Sequence, residues 1–169
     1  MTDARLILMC GLPGAGKTSL AAEIAAGRPA VRLTKDEWQW ELGSSPWDRE
    51  LGQKVEDRLW RLAQELLSLG VSVVVDFGLW TRAERDTFRT AGRRLGVGVE
   101  LHYLAVPVDE LWRRIEIRNQ TPPWSAAPIR RSDLDGWWAV FDAPDVDELA
   151  LYDPAAHGQA TVSGADSHP

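Results

Sequence analysis

The sequence holds a single cysteine, Cys10, so no internal disulfide can form, and no Cys/His cluster has the spacing of a zinc site. That scarcity predicts a reducing compartment, the cytoplasm. No apolar run approaches the roughly 18 residues that a membrane-spanning helix requires, which leaves no expected membrane partner. A basic leader is missing too, because Met1-Thr2-Asp3 is acidic and runs straight into an apolar stretch. Positive charge is in short supply, with 19 Lys+Arg against 25 Asp+Glu and a formal net charge of -6. This balance disfavours duplex nucleic acid as a partner, since a phosphate backbone needs a basic face. Only two Tyr and three Phe accompany nine Trp. Indoles in such excess suit both a core and an aromatic-lined pocket.

What remains is the composition of one folded domain: 169 residues, 44% hydrophobic and 26% charged. Short apolar runs predict strands over 5–10, 30–33, 71–76 and 99–106. Between them lie helical patterns. Ser19 to Ala26 is rich in helix formers, Val55, Leu59, Leu62, Leu66 and Leu69 recur at helical spacing, and Arg82 to Leu95 forms another helical pattern. Thr34, with Glu37 three residues later, predicts a capping box. Pro107 opens a further helix through Leu111, Ile115 and Asn119, and Ser132 to Phe141 predicts the last. Strands alternating with helices over long crossovers imply an α/β fold, a parallel sheet of about four to five strands with helices on both faces. The domain is expected over 1–153, with a Pro-rich lid at 120–131 and a flexible tail at 154–169.

Gly11-Leu12-Pro13-Gly14-Ala15-Gly16-Lys17-Thr18 fits G-x-x-x-x-G-K-[ST], and it lies between a predicted strand and a predicted helix. Glycines let successive backbone N–H groups curl around an anion, and the helix N-terminus adds its dipole. Gly11, Pro13, Gly14, Ala15, Gly16 and Ser19 are thus expected to line a nucleoside triphosphate. Lys17 reaches its outer phosphates and Thr18 holds Mg²⁺. The fold expected is a three-layer P-loop NTPase.

Phosphate loops serve both hydrolysis and transfer. Val73-Val74-Val75-Asp76 supplies an apolar strand ending in an acid, but Phe77 and Gly78 follow where a water-activating carboxylate would stand. That pattern favours transfer to a bound hydroxyl. A hydroxyl acceptor needs a base, and in a parallel sheet catalytic groups gather at the carboxyl ends of strands. Asp36 and Asp76 are placed there by the strand assignments. Arg114 and Arg118 stand four apart on one helical face just before the Pro-rich loop, where cations could neutralise developing charge.

These pieces resemble the small P-loop kinases of the polynucleotide kinase, chloramphenicol phosphotransferase and zeta-toxin group, AAA-type ATP-binding proteins in bacteria. The matching segments are Gly11–Thr18, Thr34-Lys35-Asp36, Val74-Val75-Asp76 with Arg82 and Arg85 downstream, and Arg114 with Arg118-Asn119. The resemblance implies an ATP-dependent kinase that phosphorylates a hydroxyl of a small-molecule or nucleotide-like acceptor. By that likeness Asp36 is the general base, Asp76 and Arg85 serve the acceptor side, and Arg118 belongs to the lid over ATP. ATP rather than GTP also follows from the resemblance. The polynucleotide kinases keep a basic channel, whereas this chain is acidic and Trp-rich. Trp38, Trp40 and Trp80 are expected to border the acceptor. The acceptor stays open: a 5′-hydroxyl polynucleotide end and a sugar nucleotide are alternatives, as is a non-catalytic ATP-binding module.

Overall fold

The computed structural model of the protein describes residues 3–155. The expected tail therefore lies outside the described residues from 156 onward. Four strands, β1 (Arg5–Cys10), β2 (Ala30–Thr34), β3 (Ser72–Gly78) and β4 (Gly98–Tyr103), form one sheet in the order β2-β3-β1-β4. Every neighbouring pair is parallel, with Leu6 opposite Val73 and Val99, and Leu33 opposite Val75.

Central parallel strands are covered on both faces, which explains their unbroken apolar runs. Side chains alternate across β1. Leu6 and Leu8 turn one way with Val73 and Val75, onto α3 (Arg49–Ser68) and α4 (Arg82–Arg94), where Leu59, Ala63, Leu67 and Phe88 meet them. Ile7, Met9 and Val74 turn the other way, onto Ala21, Leu20 and Ile24 of α1 (Lys17–Gly27). Each such side chain stabilises the fold by about 1.5–3 kcal/mol through burial.

A third apolar cluster sits above the sheet's carboxyl edge. Leu12 and Ala15 of the glycine loop pack on Leu111 and Ile115 of α5 (Val108–Arg118) and on Leu134 of α6 (Arg131–Val140). A short helix α2 (Lys35–Glu41) follows β2, a 3₁₀ turn spans Trp124–Ala126, and α7 (Val146–Leu149) closes the described chain. No described helix is long and apolar enough to cross a membrane.

One expectation needs correction, and one helix lies outside those the sequence predicts. Thr34 is the N-cap of α2, yet its side chain makes no capping bond. Arg32 takes both partners instead: its guanidinium donates to Thr34 Oγ1 and to Glu37 Oε1, each at 2.7 Å. The helix α7 was not anticipated, being too short to show a period.

Candidate active site

The glycine loop connects β1 to α1 with a backbone that few side chains tolerate. Gly14 and Gly16 adopt φ 85 and 94, in the left-handed region. A Cβ on Gly14 would come within 3.0 Å of the Leu111 carbonyl oxygen and 3.2 Å of Ile115 Cγ1. Gly16 is also the N-cap of α1 and offers no capping side chain, so the first amides of this helix are left for an anion. At the loop's start, the Gly11 N–H donates to the Gly78 carbonyl at 3.2 Å, which ties it to the end of β3.

Lys17 arches back over the loop, its Nζ donating to the Leu12 carbonyl at 3.0 Å. Burial lowers its pKa, opposed by the fields of Asp76 and Asp36. Asp76 stands at the carboxyl end of β3, 6% exposed, and its Oδ2 accepts from Thr18 Oγ1 at 2.7 Å. Burial raises the Asp76 pKa against the opposing pull of Lys17 and Thr18. Asp36 lies in the first turn of α2, where its field reaches Lys17, Asp76 and Arg118.

The α5 arginines differ in their surroundings. Arg114 bonds Glu110 at 2.7 Å and reaches the Gly14 carbonyl at 3.4 Å. Arg118 lays its guanidinium over the Trp124 ring, 4.1 Å from the centroid. Its buried Nε has no hydrogen-bond partner among the described residues, and burial depresses its pKa.

Most of these groups border one cavity of about 590 Å³. Pro13, Gly14, Gly16, Lys17, Thr18 and Ser19 line it, facing Asp36, Asp76, Arg114 and Arg118, with Trp40 and Trp80 among its aromatic walls. Gly11 and Ala15 are buried behind the loop and shape it from beneath. Trp38, 40% exposed, does not border the cavity.

Arg85 is the clear correction. It is fully buried, away from the cavity, and its Nε and Nη2 grip Glu148 at 2.6 and 2.8 Å. Its Nη1 donates to the Leu79 carbonyl at 3.2 Å. The α4 face that carries Arg85 turns toward the core, so the side chain cannot meet an acceptor. Cys10 is equally enclosed, and burial pushes its thiol up to about 12.

Three lining tryptophans escaped the sequence reading. Trp47 comes from the α2–α3 connection, Trp124 from the 3₁₀ turn and Trp137 from α6. Their dispersal left no local signal beyond the Trp count itself. They also pin the Pro-rich segment. Trp40 meets Trp124 edge-on at 5.8 Å, and Trp47 Nε1 donates to the Ala127 carbonyl at 3.3 Å. Asn119 brackets Ile129 through its side-chain amide, at 2.8 and 3.1 Å.

Residues 6–144 match the protein family described as AAA domain. No curated protein matches the chain. Among solved structures, one from the Pnkp1/Rnl/Hen1 RNA repair complex is similar over 99% of this chain and 53% of its own, with TM-score 0.65 and 20% identity. In a second structure of that complex the chain spans 40% of its counterpart. Kti12 from Chaetomium thermophilum, solved with ADP-AlF3, has TM-score 0.64 and 15% identity, covering 83% of this chain and 81% of its own. A sugar kinase from Janibacter sp. has TM-score 0.61 and 19% identity, covering 86% and 82%. At these identities the likeness concerns the fold.

Proposed function

Because the chain belongs to the AAA domain family, a phosphate loop at its sheet edge is the premise from which we propose an ATP-dependent kinase with a hydroxyl acceptor. One observation carries the reading. Two carboxylates, Asp36 and Asp76, share a cavity with the phosphate loop, while Phe77 occupies the place after Asp76 where a hydrolase would set its water-activating acid. The sugar kinase among the similar structures, and the ADP-AlF3 bound to another, support the same direction.

The loop suits a triphosphate, given its left-handed glycines, the uncapped α1 amides and a lysine whose Nζ donates to a loop carbonyl. Lys17 and the loop amides hold the phosphates. Thr18 and Asp76, already joined, would hold Mg²⁺ directly or through its water. The metal would supply charge neutralisation at the phosphate oxygens. Asp36 accepts the acceptor's hydroxyl proton. The freed oxygen bonds to the γ-phosphorus as the bond from that phosphorus to its bridging oxygen breaks, and ADP departs. Arg114 and Arg118 stabilise the negative charge of this transfer. The catalytic domain is 1–153, with 120–131 as its lid excluding water. In this reading the protein works in the cytoplasm, on a small-molecule or nucleotide-like acceptor and not on duplex nucleic acid.

The test is γ-phosphate transfer from labelled ATP with Mg²⁺ to pooled acceptors, beside Lys17→Ala. Label in an acceptor pool that vanishes in the variant supports the kinase. ATP binding with no transfer to any pool would leave a binding module.

A further inference from the structure

We infer that the acceptor is an uncharged, ring-bearing alcohol that lies against a tryptophan ladder in the cavity; this rests on the kinase reading above. Trp47 stacks on Trp137 with centroids 5.8 Å apart and planes at 26°. Trp137 then meets Trp80 at 5.6 Å. These three indoles arrive from the α2–α3 connection, α6 and the end of β3, so chain proximity does not account for their meeting. All three border the same cavity as Asp36 and Asp76. Aromatic faces hold rings by stacking, whatever substituents the ring carries.

Charge sets the second half of the inference. The cavity has four cations in its wall, Lys17, Lys35, Arg114 and Arg118. Lys17 belongs to the phosphate loop. Lys35 is paired with Glu56 at 2.9 Å and Arg114 with Glu110 at 2.7 Å. Arg118 stands over Trp124 within the field of Asp36. A triphosphate donor occupies what positive charge is free in this wall, which leaves, among the described residues lining it, no unpaired cation for a phosphate on the acceptor. A polynucleotide end, with phosphates next to its 5′-hydroxyl, would meet indoles and carboxylates there. An uncharged ring meets a matching surface.

The experiment compares neutral with phosphate-bearing acceptors: nucleosides and neutral aryl alcohols against nucleoside 3′-phosphates and 5′-hydroxyl oligonucleotides. Label transfer and quenching of tryptophan fluorescence are read on the full chain. The neutral members should be labelled and should quench. Trp47→Leu should raise the acceptor KM roughly tenfold while leaving the KM for ATP nearly unchanged, and Trp47→Phe should restore much of the loss. Thermal melting checks that both variants fold.

Preference for the phosphorylated acceptors would overturn the inference and leave the kinase reading standing. An acceptor KM unmoved by Trp47→Leu in a folded variant would do the same. Quenching by neutral ring alcohols without transfer would overturn the kinase reading while keeping the ring site. Neither quenching nor transfer would overturn both.

Discussion

Thr18 Oγ1 donates to Asp76 Oδ2 at 2.7 Å, joining the first turn of α1 to the carboxyl end of β3. The hydroxyl comes from the phosphate loop and the carboxylate from the neighbouring strand, so the strand order β2-β3-β1-β4 is what brings them together. A pair of this kind can orient a metal or its water without moving. Replacing Asp76 by Asn should raise the Mg²⁺ concentration for half-maximal transfer by roughly 10–100-fold, the usual effect of losing a partner next to a metal. Titrating Mg²⁺ at saturating ATP checks this. An unchanged Mg²⁺ requirement would remove Asp76 from the metal site.

Arg85 and Glu148 illustrate a different use of charge. Both are buried, and their two-pronged pair fastens α7 to α4 and supports the turn at Leu79, a non-glycine residue at φ 49. Removing one partner leaves the other charge uncompensated in the interior. Glu148→Ala should therefore cost about 3–5 kcal/mol of stability, whereas replacing both residues by apolar ones of similar volume should come close to neutral. Denaturant unfolding of the two variants separates these outcomes.

Glu100 on β4 predicts a pH dependence. It is 1% exposed, and Arg28 donates to both its oxygens, at 2.9 and 2.8 Å, while His102 lies 3.1 Å away. Burial alone would raise its pKa, but the His102 and Arg28 hydrogen bonds outweigh it and hold the carboxyl down at about 2. A carboxyl with a folded pKa below its unfolded value stabilises above the unfolded pKa. That stabilisation, on the order of 3 kcal/mol, is lost as pH falls from about 4.5 through about 2. Glu100→Gln should flatten the stability curve across this window, as read by urea midpoints between pH 5 and pH 2.

Much of this was legible in the chain. The central strands β1 and β3 announced themselves because parallel, doubly covered strands must be largely apolar, and the phosphate loop because its glycines have no substitutes at φ 85 and 94. Asp36 and Asp76 followed from the strand ends. The capping box did not form, because Arg32 on the preceding strand competes for Thr34 and Glu37, and a local motif cannot register that competitor. Arg85 reads as an acceptor-side residue only through the resemblance to the small P-loop kinases, and the pairing with Glu148, far along the sequence, is what turns it inward. The tryptophan ladder was foreshadowed by composition alone, since Trp47, Trp80 and Trp137 are neighbours in space and nowhere near one another in the chain.

The most direct test is the transfer rate of Asp36→Asn beside its ATP affinity. If Asp36 takes the acceptor's proton, the variant should lose roughly 10²–10⁴-fold in kcat while binding ATP as tightly as the parent chain. Undiminished transfer by Asp36→Asn would contradict the account at its centre.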